Sequence, residues 1–408
     1  MLTKIKIEGL FDKFEYEIEL KEQGVTILTG PNGYGKTTIL RILYAFSIKN
    51  LAFFFQLPFT RIVLTQGKAK IKLSKKERDT LEIQLGNKKP STLKKATPEE
   101  YPRYKSIGGS LWIDTKTGAE YEESEMPIQI LGLSPEMKGG PPEKAMPDFV
   151  DAYLISENRL IKKPTTKDFR VARGSKKQFI ITIEEYAKEL SENLNHILSK
   201  ASKAGQELDS SFPRRLFDET QPVEEEEFNE RYGLIRAKQK SLSAYGLSPV
   251  DEDTHTSFKQ ENAKALRVYL NDTEKKLAVF DDILKKLELF SSILNKRGFV
   301  SKKFEISPNF GFRFKTRDEK ELSLTDLSSG EQQEVVLLYE LLFKVGPNTL
   351  VLIDEPEISL HVAWQKEVVD DFMKIIDMQK ITVITATHSP QIIGKYWDLV
   401  VDLKEISE

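Results

Sequence analysis

The sequence predicts an α/β fold, in which helices flank a mixed sheet and a helical hairpin is inserted into the sheet domain. Two observations predict it. Short apolar runs end at glycine or acidic residues, as buried parallel strands do, at Val25–Thr29 and Leu350–Ile353. Between these runs, the apolar spacing changes to steps of three and four, which indicates helices. We therefore expect a head made from residues 1–182 and 300–408 and a helical insertion at 183–299.

The remaining elements follow from local periodicity. Apolar and charged residues alternate from Phe14 to Lys21, which predicts a half-buried strand. Residues 60–125 carry short apolar runs between Lys-rich segments and are expected to be rich in strands. Two heptad seams, Ile183 to Ala201 and Leu266 to Leu287, predict an antiparallel coiled-coil hairpin. The alternative is two helices that pack on the globular body.

Composition excludes several classes of protein. Cysteine is absent from the 408 residues, which excludes disulfides and thiolate metal sites. The net charge of -2 predicts no general attraction to nucleic acid or to anionic membranes. The most apolar run, Leu51–Phe55, is too short to span a bilayer, and the first residues lack the apolar run of a signal peptide. We therefore expect a cytoplasmic protein without a membrane partner.

A phosphate-binding loop pattern follows the first apolar run and opens a helical pattern, which is the context that a P-loop requires. Its glycines allow backbone N–H groups to point at phosphate oxygens, and the helix N-terminus adds a positive dipole end. Lys36 would contact the β- and γ-phosphates of ATP, and the Thr37 hydroxyl would bind Mg²⁺. The predicted nucleotide-binding residues are Gly30, Pro31, Asn32, Gly33, Tyr34, Gly35, Lys36, Thr37 and Thr38.

An acidic pair and a histidine each follow an apolar run. Asp354 and Glu355 come directly after Leu350–Ile353, and His388 follows Ile381–Thr385. Because ligands bind at the carboxyl ends of strands in open α/β sheets, we expect these side chains near the phosphates. Asp354 would hold Mg²⁺ through water, Glu355 would activate the attacking water, and His388 would hydrogen-bond to the γ-phosphate. A structural role is the alternative for a lone histidine.

A third segment, Ser328, Ser329 and Gly330, precedes an apolar run at Val335–Leu342 that predicts a buried helix. Serine at a helix start is ordinarily an N-cap, and that is one interpretation. In the other, the hydroxyl and backbone amides of Ser328 and Gly330 contact a γ-phosphate that is bound by another copy of the chain.

In this order, the motifs resemble those of the ABC-type ATPases of the SMC, RecF and OLD group. The resemblance implies an ABC-type P-loop ATPase head that binds ATP and Mg²⁺ and hydrolyses ATP. It also implies a head-to-tail dimer, or a larger homo-oligomer, with nucleotide between copies. Lys36, Thr37, Asp354, Glu355 and His388 would then form the site within one chain. The signature segment, residues 328–330, would complete the site of the partner.

The runs Asp354–His361 and Thr387–Pro390 are similar to the OLD-like branch in particular. Too few residues follow His388 for the TOPRIM nuclease of that branch. The chain therefore resembles the ATPase subunits of antiphage systems such as Septu and PARIS, which control a separately encoded nuclease or toxin. The alternative is a RecF-like or SMC-like ATPase of DNA repair. A transporter motor is disfavoured because no Q-loop is found; the nearest equivalent is Ser156–Arg159.

The most basic stretch of the sequence runs from Arg159 to Lys177 and contains one acidic residue, Asp168. It could follow the phosphate backbone of DNA. It could equally be a solvated loop or a contact for an acidic partner protein. The candidate contact residues are Arg159, Lys162, Lys163, Arg170 and Arg173.

Overall fold

The structure is a computed structural model. It describes residues 2–77, 79–94, 104–108, 111–115, 118, 120–122, 148–162, 180–248, 257–299 and 301–407. The chain forms two compact units. The first unit comprises Met1–Glu157 and Lys344–Glu408, and the second comprises Asn158–Phe343.

The described residues of the first unit form three sheets. Its strands are β1 (Lys4–Leu10), β2 (Phe14–Glu19), β3 (Val25–Thr29), β4 (Arg61–Gln66), β5 (Ala69–Glu77), β6 (Thr80–Leu85), β7 (Ser91–Lys94), β8 (Tyr104–Gly108), β9 (Leu111–Asp114), β10 (Glu120–Glu122), β11 (Ala152–Ile155), β17 (Leu350–Asp354), β18 (Thr382–Ala386) and β19 (Val400–Asp402). The six-stranded sheet has the order β2-β1-β4-β5-β6-β7 and is antiparallel. Strands β8, β9 and β10 form a small antiparallel sheet.

The five-stranded sheet is parallel and has the order β11-β17-β18-β3-β19. All residues of β17 and β18 are buried, which explains the continuous apolar run Leu350–Ile353 in β17. The carboxyl ends of β3, β17 and β18 therefore lie at one edge of the sheet. This arrangement confirms the α/β fold and the expected meeting of the motifs.

The helices of the first unit are α1 (Lys36–Ser47), α2 (Leu51–Gln56), α8 (Val362–Gln365), α9 (Val368–Gln379) and α10 (Pro390–Ile393). One apolar core joins α1 and α2 to the antiparallel sheet and to the parallel sheet. The apolar run at Leu51–Phe55 belongs to this core, since α2 buries four of its residues, Leu51, Ala52, Phe54 and Phe55. Within the described part of the chain, every helix is too short or too polar to cross a membrane.

The second unit is mainly helical. Its elements are β12 (Ile161–Lys162), β13 (Ile180–Ile181), α3 (Thr182–Asp218), α4 (Glu225–Ser243), α5 (Ala263–Ala278), α6 (Asp281–Lys296), β14 (Lys302–Ser307), β15 (Gly311–Thr316), β16 (Glu321–Leu322) and α7 (Ser329–Tyr339). Strands β14, β15 and β16 form an antiparallel sheet. Helix α3 packs on β15 and on α7.

The predicted two-armed hairpin is wrong in its second arm. The first seam lies on the single helix α3, which buries Ile183, Leu190 and Leu194. The second seam is divided, because α5 ends at Ala278 and α6 begins at Asp281. Helix α5 packs on α3 and α4, whereas α6 packs on β14 and α7. The two halves of the seam thus bury their apolar faces against different partners, so the chain turns between them.

Gly311, at the start of β15, offers a test of packing within the second unit. Its φ is +74°, and an added Cβ would lie 1.7 Å from the carbonyl oxygen of Ala187 on α3. We expect Gly311→Ala to lower the free energy of unfolding by roughly 2–4 kcal/mol, through left-handed strain plus a backbone clash. Gly298→Ala is the control, since φ there is +61° but the nearest atom is 4.0 Å away, and strain alone costs about 1 kcal/mol. Chemical denaturation measures both, and equal losses would contradict the packing.

Candidate nucleotide site

The P-loop connects β3 to α1 and depends on glycine at three positions. Gly30, Gly33 and Gly35 have φ values of 137°, 84° and 81°. Such backbone favours glycine, because other side chains are strained there. At Gly35, an added Cβ would also lie 3.1 Å from a methyl group of Leu10 on β1. Strand β1 of the antiparallel sheet therefore packs closely against the loop at Gly35, and this close approach favours glycine there.

Two aromatic residues of β2 support the same loop. The Tyr16 hydroxyl donates to the Tyr34 carbonyl oxygen at 2.7 Å, and the rings of Phe14 and Tyr34 lie 5.0 Å apart. Burial raises the pKa of Tyr16 to about 12, so its hydroxyl remains a donor at neutral pH. The sequence indicated that Phe14 and Tyr16 face a core, but it did not indicate that this core holds the loop.

Lys36, the first residue of α1, lies in the loop with only 6% of its surface exposed. Its Nζ donates to the carbonyl oxygens of Gly30 at 2.9 Å and of Pro31 at 3.3 Å. Burial lowers the pKa of this ammonium group, although nearby carboxylates, Glu355 first, oppose the shift. A partly desolvated cation in a glycine-rich loop at a helix N-terminus suits a polyphosphate.

Thr37 and Asp354 meet at the carboxyl end of β17. The Thr37 hydroxyl donates to Asp354 Oδ1 at 3.0 Å. Burial raises the pKa of Asp354, and the charge of Glu157 acts in the same sense, while the Thr37 hydrogen bond opposes them. A hydroxyl and a carboxylate side by side are oxygen ligands of the kind that Mg²⁺ takes together with phosphate and water. These residues therefore fit a nucleotide with bound Mg²⁺, which would neutralise phosphate charge.

Glu355 follows Asp354 in a strained backbone conformation, with φ of 45°. Its N–H donates to the Ala386 carbonyl oxygen at 2.9 Å, which ties the residue to the end of β18. Such strain costs of order 1–3 kcal/mol and is found where a site requires a particular geometry. Burial, followed by the charge of Glu357, raises the pKa of Glu355, while His388 opposes the shift. A raised pKa suits a general base.

His388 lies between the two groups predicted to act with it. Its Nδ1 is 3.5 Å from Lys36 Nζ, and its Nε2 is 3.7 Å from Glu355 Oε1. The P-loop, the acidic pair and the histidine are thus brought together within the first unit, as the sequence predicted.

Sequence reasoning gave no individual role to two further acidic residues of this site, although both lie in runs that it singled out, Ser156–Arg159 and Asp354–His361. Glu157 follows β11 and acts on the pKa of Asp354. Glu357 accepts hydrogen bonds from Thr387, His388 and Ser389. For Glu157 a signal existed, because it follows an apolar strand as Asp354 does. For Glu357 the signal was its place in the run Asp354–His361.

The signature segment lies in the second unit, where Ser328 is the N-cap of α7. Its Oγ accepts from the Glu331 N–H at 3.3 Å, and the Glu331 carboxylate accepts from the Ser328 N–H at 2.8 Å. Ser328 is thus the N-cap of α7, as one of the two interpretations of the sequence predicted. Ser328 and Ser329 are exposed, whereas Gly330 is buried. The contact of residues 328–330 with a phosphate of another copy stays a prediction.

The basic stretch is only partly described. Arg159 is 4% exposed, so its expected role as a surface contact for nucleic acid or a partner is wrong for this residue. Lys162 ends β12, which pairs with β13 at Ile180, beyond the basic stretch. Lys163, Arg170 and Arg173 lie outside the described residues.

Comparison with known proteins decides the family. A model of the AAA ATPase domain matches residues 1–393. The chain belongs to this ATPase family.

The ATPase is 37% identical over 79 residues to the UvrABC system protein A of Clostridium acetobutylicum, in a match that covers 19% of this chain and 8% of that protein. It is also 38% identical over 79 residues to a predicted ABC transporter ATP-binding protein of Bacillus thuringiensis subsp. konkukian. That match covers 19% of this chain and 14% of that protein. The matches thus span a small part of both relatives.

Two solved structures of SMC heads show a distant likeness to the ATPase. One is the SMC head bound to the C-winged helix domain of ScpA, with a TM-score of 0.39 and 13% identity. The other is the SMC head domain from Thermotoga maritima, with a TM-score of 0.35 and 12% identity. Each comparison covers 98% of this chain and 94% of the other.

The chain carries an ATPase domain, whose chemistry is the hydrolysis of ATP. We expect Glu355→Gln to bind ATP normally but to hydrolyse it on the order of a hundredfold more slowly, because an amide cannot accept the proton of the attacking water. Lys36→Ala is the contrasting variant, since it removes the cation that contacts the phosphates and should abolish binding. Calorimetry measures affinity, and phosphate release measures turnover.

The pH profile is the control for this assignment. A protonated carboxyl cannot act as a base, so the wild-type rate should fall as the pH drops through the raised pKa of Glu355. The fall should begin above the ordinary value of 4.5. The residual rate of Glu355→Gln should lack this acid limb. A variant that turned over at the wild-type rate would assign the base to another carboxylate.

Proposed function

We propose that two copies of this ATPase close head to tail around ATP and Mg²⁺, either as a dimer or within a larger homo-oligomer. The exposed N-terminus of an otherwise buried helix carries this proposal. From Glu331 to Tyr339, α7 is buried except at the half-exposed Gln332, whereas Ser328 and Ser329 at its start are exposed. A helix held on all sides but open at its positive end is suited to receive a phosphate from outside the chain.

The site of the first unit supports the same proposal from the other side. It supplies a cation at Lys36, the candidate Mg²⁺ ligands Thr37 and Asp354, and the base Glu355. Residues 328–330 would add neutral donors opposite these groups. Donors fixed in place before the reaction stabilise developing charge at the γ-phosphate without reorganisation. Closure of the two copies would thus complete the site and exclude water.

The cellular role that we propose is that of a sensor and scaffold subunit in bacterial antiphage defence. It would act in the cytoplasm and control a separately encoded nuclease or toxin. The similarity of Asp354–His361 and Thr387–Pro390 to OLD-like ATPases supports this role. The second unit offers a means of control, because α3 and α6 both pack on α7. An effector held by these helices would be coupled to the helix that carries the signature segment.

The alternative is a RecF-like or SMC-like ATPase that acts on DNA in repair or recombination. The basic sequence between β12 and β13 favours it. Both ends of this segment are held together by the pairing of Lys162 with Ile180. The sequence between them carries Lys163, Arg170 and Arg173. Such a segment would bind phosphates without sequence preference and with a strong salt dependence.

Mixing two inactive variants tests the head-to-tail arrangement. Ser328→Arg should block closure but spare binding to the site of its own chain, and Lys36→Ala should abolish binding. Each alone should be inactive, because every closed dimer then has two damaged sites. A mixed dimer has one site with both lesions and one with neither, so random pairing would return up to about a quarter of the wild-type ATPase. Phosphate release of the mixture measures this.

Wild-type chain mixed with Lys36→Ala is the control for subunit exchange, and a tagged copy shows that mixed dimers form. If mixed dimers form and no activity returns, Ser328 acts only as a helix cap. Activity in Ser328→Arg alone would lead to the same conclusion.

Phage challenge separates the two cellular roles. Cells that carry this chain with its neighbouring genes should resist infection, and Glu355→Gln should remove the resistance because hydrolysis is lost. Plaque counts measure this, and fluorescence anisotropy measures DNA affinity across salt concentrations. Tight ATP-dependent DNA binding without protection would favour the repair role. Protection without such binding would favour defence.

A further inference from the structure

One carboxylate oxygen holds the segment that carries His388. Glu357 Oε1 accepts a hydrogen bond from the Thr387 hydroxyl at 2.6 Å, from the His388 N–H at 2.9 Å and from the Ser389 N–H at 3.1 Å. All three donors belong to consecutive residues. Glu357 thus fixes both the backbone of His388 and its neighbours on each side.

Other contacts hold the same segment at its edges but not at its centre. The Thr387 N–H donates to the Leu28 carbonyl oxygen at 3.1 Å. The Ser389 hydroxyl donates to Gln365 Oε1 at 2.8 Å. For the backbone N–H of His388, the hydrogen-bond partner is Glu357. The position of the histidine backbone therefore depends on this carboxylate.

This dependence matters because His388 lies where regular structure is interrupted. Strand β18 ends at Ala386, and α10 begins at Pro390. The imidazole is partly exposed and reaches Lys36 Nζ on one side and Glu355 on the other. A shift of the backbone by about 1 Å would remove either contact, and misplacement on this scale is costly to catalysis.

We propose that Glu357 is the positioning residue of His388 and that it acts through these three hydrogen bonds rather than through its charge. The inference rests on the proposed function in one respect, because it takes His388 as the contact to the γ-phosphate. A side-chain carbonyl or carboxylate oxygen accepts from more than one donor, so the placement of Oε1 among three donors suits it as an anchor.

The competing role for Glu357 is electrostatic. Its charge contributes to the raised pKa of Glu355. Its second oxygen, Oε2, is buried and has no hydrogen-bond partner among the described residues. Two substitutions separate the roles. Glu357→Gln keeps the reach and an acceptor oxygen but removes the charge, whereas Glu357→Asp keeps the charge but withdraws the acceptor by one methylene.

The experiment measures kcat, KM and ATP affinity of the full chain. We expect Glu357→Ala to lower kcat on the order of tenfold, with KM and ATP affinity within twofold of wild type. Glu357→Asp should behave like Glu357→Ala, and Glu357→Gln should retain most of the activity. Glu22→Ala is the matched control, because Glu22 is an exposed glutamate in the turn between β2 and β3. It should leave all three quantities unchanged.

A double-mutant cycle with His388→Ala completes the test. His388→Ala alone should lose on the order of a hundredfold in kcat, as expected for a donor to developing charge. If Glu357 acts through His388, then Glu357→Ala should cost nothing further in the His388→Ala background. Losses that multiply would overturn the inference, and so would an active Glu357→Asp beside an inactive Glu357→Gln.

The same series separates this inference from the proposed function. Full activity in His388→Ala would remove the γ-phosphate role of the histidine, and with it the inference. A loss in His388→Ala beside full activity in Glu357→Ala would remove the inference alone. If Glu357→Ala did not fold, the comparison of Glu357→Asp with Glu357→Gln would still decide between position and charge.

Discussion

The parallel register of three strands is the constraint on which the rest of the site depends. Asp354 pairs with Ala386, and Ala386 pairs with Leu28, so these residues form one row across β17, β18 and β3. The acidic pair begins in this row with Asp354, and the P-loop and the histidine segment leave the sheet beyond it. A shift of one residue in β17 would turn Asp354 to the other face of the sheet, away from Thr37, so the register fixes the site.

Charge in this site is held at a cost. Burial raises the pKa of Asp354 and of Glu355 and lowers the pKa of Lys36. Each shift disfavours the charged form of its group, so the surroundings resist the very charges that the chemistry requires. A polyphosphate with its cation would supply the missing compensation. A nucleotide with Mg²⁺ would therefore complement this site in charge.

Much of this could be predicted from sequence, because the informative patterns are local. A P-loop needs glycine at fixed spacing, and a strand buried on both faces, such as β17, needs an unbroken apolar run. The division of the second heptad seam at Phe280 could not be predicted, since one long helix and two short ones share the same period. The burial of Arg159 and the hydrogen bonds of Glu357 could not either, because both depend on contacts between distant parts of the sequence.

The strained backbone of Glu355 has a consequence for the evolution and the engineering of this protein. At a φ of 45°, the backbone of glycine would be less strained than that of glutamate, by about 1 kcal/mol. The position is therefore one where stability and activity oppose each other. A laboratory selection for heat resistance alone would favour glycine at this position and would return a more stable protein with much slower turnover. Only selection for the reaction itself keeps the strained glutamate in place.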